Sequence, residues 1–252
     1  MEPLSAVIIT FNEEKNIERC LKSLQNIADE IIVVDSFSTD QTEAICQSFN
    51  VEFHKMKWEG YSKTKNKAQS LANSEYVISV DADECLDEQL IHEISQIKKT
   101  GFNGVYELNR LTNYCGSWIH HSGWNPDWKI RIYPKSLVKW DDAIVHEELN
   151  VPAELKIFQL KGRLHHYSYF STSQHRSKAD HYSKLTASKY AEQGRKCYFF
   201  TPVLSALSRF ISMYILKLGF LDGKAGWNIA KISAESNAFK YRELLRLTKN
   251  MK

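Results

Sequence analysis

Short apolar runs alternate with amphipathic stretches in the first third of the chain. Four runs predict strands, at residues 4–10, 30–35, 51–54 and 76–81. The run at 51–54 predicts a weaker strand, and the others are apolar runs typical of buried strands. After the first run, apolar residues recur at helical spacing, at Ile17, Cys20, Leu21 and Leu24. Strand and helix in alternation predict a parallel sheet with right-handed crossovers.

The stretch after the second run predicts a further helix. Asp40 can cap it, with Glu43 three residues on as a variant of the capping box. The residues predicted to form its inward face are Ala44, Ile45, Ser48 and Phe49. A longer helix over residues 62–73 leads into the fourth run.

The pattern changes twice further along. Residues 104–109, 128–133 and 137–140 predict strands of more mixed character, whereas everything after residue 170 predicts helices. The fold class is therefore α/β, with a mixed, mainly parallel sheet flanked by helices and a C-terminal helical extension. We expect a domain over residues 1–170 and an extension over 171–252.

Composition places the chain among ordinary globular proteins, with 43% hydrophobic and 25% charged residues in 252. The net charge of +3 conceals an asymmetry, because residues 195–252 hold 11 Lys and Arg against 3 Asp and Glu. The basic residues belong to amphipathic helices and no recognition motif accompanies them, so we expect no nucleic-acid partner.

Cysteine usage and the N-terminus bear on location. The 5 cysteines are an odd number without a Cys-x-x-Cys pair, which argues against a disulfide framework or a zinc knuckle. The first apolar run is too short for a signal peptide and lacks a basic n-region. We expect a reducing, cytoplasmic location.

Acidic residues stand directly after the fourth run, at Asp81, Asp83 and Glu84. Ligands of open α/β sheets bind beyond the carboxyl ends of the strands, so these side chains are predicted at the rim of a crevice. Carboxylates spaced Asp-x-Asp are hard oxygen ligands suited to Mg²⁺ or Mn²⁺, which in turn hold a diphosphate. The alternative is a helix cap, since Asp87 and Glu88 precede an apolar helical pattern.

Three predicted strands end on polar side chains, Thr10, Asp35 and Asp81, which can converge on one crevice. A nucleotide fits there, because Asp35 can accept hydrogen bonds from a uracil ring or a ribose, Phe11 can stack on a base and Lys65 can screen a diphosphate. The plainer explanations are that Asp35 only begins a Ser/Thr-rich turn, that Phe11 lies in the core and that Lys65 lies on a solvated helix face. No Gly-rich dinucleotide or P-loop motif is present.

Three motifs in order carry a resemblance to a known family. They are Val-Ile-Ile-Thr-Phe-Asn-Glu at 7–13, Glu-Ile-Ile-Val-Val-Asp-Ser-Phe-Ser-Thr-Asp at 30–40 and Ser-Val-Asp-Ala-Asp-Glu at 79–84. In order and spacing they resemble the family 2 glycosyltransferases. The resemblance implies a GT-A fold, a UDP-sugar or similar nucleotide-sugar donor, a divalent metal and inversion at the anomeric carbon.

Closer motifs at residues 58–62, 81–84, 124–131 and 145–147 resemble the branch that contains bacterial lipopolysaccharide core glucosyltransferases. The resemblance implies that the nucleoside is contacted by Thr10, Phe11, Glu13 and Asp35. It also implies a donor contact for Asn66, a ribose or sugar contact for Asp81 and a metal ligand at Asp83. The chain departs from many members at residues 36–38, where Ser-Phe-Ser replaces an Asp-Gly-Ser turn.

Direct inversion requires a base that takes the proton from the acceptor hydroxyl. The candidates are Asp141, Asp142, Glu147 and Glu148. Glu147 is the predicted base, because it follows a short apolar run and matches the His-Glu pair of the resembling branch. Asp142 is the alternative for the base, and an ion pair with a lysine is the plainer explanation for Glu147.

The acceptor is expected near a loop dense in aromatic residues and histidines, where Trp124 offers a flat face to a sugar ring. Arg131 can bind an acceptor phosphate or the donor diphosphate, or it can simply form an ion pair. One of His165 or His166 can complete the metal shell in the manner of some GT-A enzymes. A hydrogen-bonded structural role is the alternative for each histidine.

The C-terminal extension contains an apolar run over residues 203–221 that carries Arg209 and Lys217. A central Arg costs about 2.5–3.5 kcal/mol on insertion scales, so an interfacial helix on the inner face of the plasma membrane explains the run better than a spanning one. A packed helical subdomain or a dimer contact is the alternative.

These expectations combine into one activity, the transfer of glucose from UDP-glucose to an inner-core sugar of a lipopolysaccharide or lipooligosaccharide. The alternatives are a transferase for another nucleotide sugar or a lipid-linked acceptor, and a non-catalytic nucleotide-sugar binding module. Nucleotidyl transfer fits less well, because enzymes of that class are expected to have a Gly-rich phosphate loop near the N-terminus, where this chain has Thr-Phe-Asn-Glu-Glu.

Overall fold

The computed structural model describes residues 1–141 and 149–249. The chain divides into two compact units. The sheet unit comprises Met1–Arg110 and Asp127–Tyr167, and the helical unit comprises Leu111–Pro126 and the chain from Ser168 onward. The segment Leu111–Pro126 thus packs with the C-terminal helices. The predicted division into a domain over residues 1–170 and an extension over residues 171–252 stays a prediction.

Eleven strands and seven α-helices are found within the described residues. The strands are β1 (Leu4–Thr10), β2 (Glu30–Asp35), β3 (Glu52–Lys55), β4 (Tyr76–Asp81), β5 (Glu84–Leu86), β6 (Val105–Tyr114), β7 (Ser117–Trp118), β8 (Trp128–Pro134), β9 (Lys139–Trp140), β10 (Leu149–Asn150) and β11 (Ile157–Tyr169). The helices are α1 (Ile17–Leu24), α2 (Thr42–Gln47), α3 (Tyr61–Leu71), α4 (Glu88–Thr100), α5 (Thr172–Glu192), α6 (Thr201–Phe210) and α7 (Gly223–Lys249).

The main sheet has the order β3-β2-β1-β4-β8-β6-β11-β5. Its first four strands are parallel, whereas β8 runs antiparallel to both β4 and β6, and β5 runs antiparallel to β11. Helices flank it, and the chain ends in further helices. The predicted fold class, a mixed, mainly parallel sheet with a C-terminal helical extension, is confirmed.

Two apolar cores explain why β1, β2 and β4 lack polar alternation, whereas the edge strand β3 is partly exposed. In β1, Ala6 and Ile8 belong to one core, while Val7 and Ile9 belong to the other. Successive side chains of a strand point to opposite faces, so a strand with a core on each side is apolar on both faces, apart from the small buried hydroxyls of Ser5 in β1 and Ser79 in β4. The inward face predicted for α1 is also observed, since Ile17 and the three residues that follow it at helical spacing are all buried.

The helical unit differs from the expectation of one apolar helix over residues 203–221. Helix α6 ends at Phe210, a π-helical turn follows over Ile211–Leu216, and a 3₁₀ turn occupies Gly219–Asp222. The break coincides with Leu218, whose φ of 54° is left-handed. In the described part of the chain no single helix is long and apolar enough to cross a membrane, although Thr201–Leu216 and Gly219–Thr248, bent by 73°, meet that test as a pair.

His175 gives the helical unit a predicted pH dependence. Its Nδ1 lies 3.0 Å from the hydroxyl of Tyr114, and burial, aided by the charge of Arg176, lowers its pKa to about 4. The unfolded chain titrates this group near pH 6.5, so it binds more protons than the folded chain between about pH 6.5 and pH 4. The free energy of unfolding therefore falls as the pH falls through that window.

The variant His175→Gln should flatten this dependence. We expect the urea midpoint of the variant to change less than that of the parent between about pH 7.5 and pH 5. Equal changes in the two proteins would show that His175 does not carry the effect.

Candidate functional site

The carboxyl ends of three adjacent parallel strands bring polar residues to one edge of the sheet. Thr10 pairs in register with Asp35 across β1 and β2, and Ile9 pairs with Asp81 across β1 and β4. Thr10, Asp35 and Asp81 therefore lie side by side, although they are far apart in sequence. This is the edge where α/β sheets bind ligands.

Hydrogen bonds join the loops that follow β1 and β2. The Asn12 N–H donates to Ser38 Oγ at 2.8 Å, and the Thr39 N–H donates to Asn12 Oδ1 at 2.8 Å. The Glu13 N–H donates to Thr42 Oγ1 at 2.8 Å. The two loops therefore form one fixed wall of the edge.

Two buried hydroxyls in this wall have no hydrogen-bond partner among the residues that the structure describes. They are Thr10 Oγ1 and Ser36 Oγ, on neighbouring strand ends joined by a 2.9 Å bond from the Ser36 N–H to the Thr10 carbonyl. Buried polar groups normally form hydrogen bonds, so each of these two hydroxyls is a candidate hydrogen-bonding group for a ligand. Phe11 follows directly and is 56% exposed, which leaves its ring available for stacking.

The side chains of Asp35 and Glu13 accept hydrogen bonds inside the two loops that form the wall. Asp35 is fully buried and accepts hydrogen bonds from the N–H and the hydroxyl of Ser38. Glu13 accepts one from the Asn16 side-chain amide at 2.7 Å, just before α1 begins. Asp35 thus does form the Ser/Thr-rich turn, and nucleoside contacts by either residue stay predictions.

Asp81 lies between two cations. Its carboxylate oxygens are 2.9 Å from Lys65 Nζ and 3.0 Å from Arg131 Nη2, and Lys65 also lies 4.4 Å above the ring of Trp140. Burial by itself would raise the pKa of Asp81, but the charges of Lys65 and Arg131 outweigh it and hold the pKa well below its usual range. Asp81 is therefore an ionised, acceptor-only group at the edge.

Glu84 anchors this cluster, although the sequence predicts for it only a position at the rim. Its side chain is fully buried, accepts a 2.5 Å bond from Arg131 and a 3.1 Å bond from the Asp81 N–H, and lies 3.4 Å from Arg110. The available signal was its position three residues after Asp81, the spacing at which a side chain can reach back across a turn. Glu84 fixes both the turn and the arginine that faces Asp81.

Removal of the arginine should be costly. We expect Arg131→Met to lower the free energy of unfolding by about 3–5 kcal/mol, because it leaves the buried Glu84 carboxylate without its main partner. Urea denaturation measures the change. Arg110→Met is the matched control and should cost less, since Arg110 is more exposed at 23%.

A double variant separates charge from packing. If the cost arises from the uncompensated carboxylate, adding Glu84→Leu to Arg131→Met should recover part of the loss, since the double variant no longer buries the unpaired Glu84 charge. A double variant less stable than the sum of the two single changes would contradict this explanation.

Asp83 and His166 form the candidate metal position. Asp83 Oδ2 lies 3.2 Å from His166 Nε2, and both side chains keep some exposure, at 23% and 16%. Among the described residues no group of three His, Cys, Asp or Glu side chains could hold an ion alone. The carboxylate would suit Mg²⁺ or Mn²⁺ together with diphosphate oxygens and water, with the imidazole as a further ligand.

Other predicted site residues have structural contacts. Asn66 forms two hydrogen bonds with the backbone of Trp140, of 2.9 and 3.0 Å, which ties α3 to β9. Arg131 is 3% exposed and belongs to the ion cluster, the plainer of its two predicted roles. Trp124, in the helical unit, lies 5.8 Å edge-on from Tyr114. Donor and acceptor contacts by these residues stay predictions.

Two further predictions concern Asp142, the alternative base and a candidate acceptor contact, and Glu147, the predicted base. Both residues lie outside the described residues. Asp141, the last described residue before them, has its Oδ1 3.5 Å from the Ser62 hydroxyl. The assignment of the base therefore rests on the sequence.

Comparisons with known proteins agree with the predicted family. Residues 5–183 match the family model described as glycosyl transferase family 2. An uncharacterized glycosyltransferase of Rickettsia typhi is 30% identical over 259 residues, which cover 99% of this chain and 87% of the relative. The lipopolysaccharide core biosynthesis glycosyltransferase LpsC of Rhizobium meliloti is 28% identical over 228 residues, covering 88% and 82%. The crystal structure of S. aureus TarS 1–349 in complex with UDP has a TM-score of 0.48 at 16% identity, covering 99% of this chain and 91% of that one.

Proposed function

The chain belongs to glycosyl transferase family 2, and we propose that it transfers glucose from UDP-glucose to an inner-core sugar of a lipopolysaccharide. The relative LpsC, named for lipopolysaccharide core biosynthesis, supports the acceptor class. The observation that carries the proposal is the row of Thr10, Asp35 and Asp81 at one sheet edge, beside buried hydroxyls that lack partners among the described residues.

In this proposal the uridine lies against the wall formed by the loops after β1 and β2. The orphan hydroxyls of Thr10 and Ser36 hydrogen-bond to it, and Phe11 stacks on its base. Asp81, held ionised by Lys65 and Arg131, accepts hydrogen bonds from a ribose or sugar hydroxyl. The donor is thereby fixed with its diphosphate toward Asp83.

Asp83 and His166 would hold Mg²⁺ or Mn²⁺, which supplies positive charge opposite the departing diphosphate. Glu147 takes the proton from the acceptor hydroxyl as that oxygen attacks the anomeric carbon. The bond to the diphosphate breaks on the opposite face of the sugar, so the product has inverted anomeric configuration. UDP and the extended saccharide leave.

Calorimetry with purified protein tests the donor. UDP-glucose, other nucleotide sugars and UDP are titrated with Mg²⁺ or Mn²⁺ and then with EDTA. We expect one UDP-sugar to bind with metal and to lose affinity in EDTA. Failure of every nucleotide to bind would overturn the proposal.

A turnover assay separates an enzyme from a binding module. UDP release is followed with UDP-glucose and a truncated lipopolysaccharide as acceptor. Release that requires the acceptor supports transfer, whereas donor binding without release would indicate a non-catalytic binding module. A different sugar that turns over faster would change the donor and leave the reaction class intact.

A further inference from the structure

The segment over residues 198–227 of the helical unit presents an unusually apolar outer surface. Thirteen large apolar side chains in it are at least 41% exposed, from Phe199 at 86% to Ile211 at 41%. They are Tyr198, Phe199, Phe200, Val203, Leu204, Leu207, Ile211, Ile215, Leu216, Leu218, Phe220, Leu221 and Trp227. We name this set the apolar face. Large contiguous exposed patches mark sites of interaction with a partner or a membrane.

Helical spacing arranges much of the apolar face in one stripe. Its members recur from the N-cap residue Phe200 along α6 and the π-helical turn, at Leu204, Leu207, Ile211 and Ile215. The opposite side of the same segment is also apolar, since Met213 is buried in a cluster with Tyr114 and Ile229. The inner side therefore serves the core of the unit, and the outer side has no such purpose among the described residues.

The exposed charges of the segment that carries the apolar face have one sign. Residues 195–227 contain five basic side chains, all exposed, at Arg195, Lys196, Arg209, Lys217 and Lys224. The single acidic residue of this stretch, Asp222, is turned inward with its side chain 2% exposed and bound to His121 and Ser122. The exposed charge of the segment is thus purely positive, which complements an anionic surface.

We propose that the apolar face is a docking surface for a bilayer that contains anionic phospholipid. The apolar side chains enter the boundary between headgroups and acyl chains, while the five cations contact lipid phosphates. The rings at 198–200 and Trp227 suit this depth, because aromatic residues favour the interface. A second copy of this chain fits less well, because two such faces would bring ten cations together.

Vesicle cosedimentation with the full chain tests the proposal without donor or acceptor, so its outcome is independent of the transfer reaction. We expect retention on vesicles of phosphatidylcholine with phosphatidylglycerol at low salt, and partial release as salt rises. Vesicles of phosphatidylcholine alone should retain less. Indifference to anionic vesicles would overturn the proposal.

Variants then locate the surface. Val203 and Leu207 are 69% and 56% exposed, so Val203→Glu with Leu207→Glu should fold normally and lose retention by at least tenfold. Leu137→Glu is the matched control, since Leu137 is 54% exposed but lies in the sheet unit, and it should be retained like the parent. Equal retention of parent and face variant would contradict the assignment of the surface.

The charges provide a second test. Replacing Arg209, Lys217 or Lys224 by Gln should weaken binding to anionic vesicles by about fivefold for each charge and leave binding to neutral vesicles unchanged. Light scattering in the absence of lipid addresses the rival occupant. A parent dimer that the Val203→Glu and Leu207→Glu changes dissociate, together with absence of vesicle binding, would show that a second copy covers the face.

Discussion

Asp83→Asn is expected to lower the rate of sugar transfer by about 100-fold or more. A metal that neutralises a leaving group supplies several kcal/mol of transition-state stabilisation, and each 1.36 kcal/mol is tenfold in rate. The substitution preserves the shape of the side chain but removes the negative charge from the candidate metal position beside His166. The loss should be accompanied by loss of the metal-dependent part of UDP-glucose binding in calorimetry.

Two comparisons make this result specific. His166→Gln should weaken metal-dependent binding while retaining measurable transfer, because the carboxylate and the diphosphate still hold the ion. Asp180→Asn, on an exposed position of α5, should behave like the parent. An Asp83→Asn protein whose transfer remains rapid and sensitive to EDTA would remove Asp83 from the metal position.

The strands that carry the site were predictable because their burial is complete. β1, β2 and β4 lie where the apolar runs at 4–10, 30–35 and 76–81 place them. A strand with a core on each face admits small hydroxyls such as Ser5 and Ser79 but carries charged side chains only at its ends, so the first charged residue after an apolar run marks the strand end. Asp35 and Asp81 at one edge follow from that rule and from the parallel order of the strands.

The inward face of α2 was predicted only in part. Ile45 and Phe49 pack against the core as predicted, whereas Ala44 and Ser48 are exposed and the fully buried residues of the helix are Thr42 and Cys46. The helix has only six residues, and a contact from outside it fixes its rotation, because Thr42 Oγ1 accepts the hydrogen bond of the Glu13 N–H. Periodicity over so short a stretch cannot determine which side faces inward.

The cluster of Asp81, Glu84, Arg131 and Lys65 could not be predicted from sequence patterns, for a different reason. Glu84 and Arg131 are 47 residues apart and meet only because β8 pairs antiparallel with β4. A charged residue near a predicted rim gives no local signal that it is buried, and the rule that acids lie on surfaces favours the opposite interpretation. The three-residue spacing lets Glu84 reach back to Asp81, but only the sheet order shows that it is buried against Arg131.

Glu147→Gln should lower the turnover number by about 10²–10⁴-fold while donor binding is preserved. General acid–base catalysis contributes a factor of that size, and the amide keeps the volume of the carboxylate but cannot take a proton. Because donor contacts are assigned to the sheet edge around Thr10 and Asp35, binding of UDP-glucose in calorimetry should match the parent. This separation of binding from turnover distinguishes the base from a donor ligand.

Asp142→Asn is the matched variant, because Asp142 is the alternative base in the same stretch of sequence. If Glu147 is the base, Asp142→Asn should keep most of the turnover number, and any change should lie mainly in the KM for the acceptor. If instead Glu147→Gln turns over normally and Asp142→Asn is impaired, the base is Asp142. The proton then leaves through that residue, while the donor site at the sheet edge and the metal position at Asp83 are unaffected.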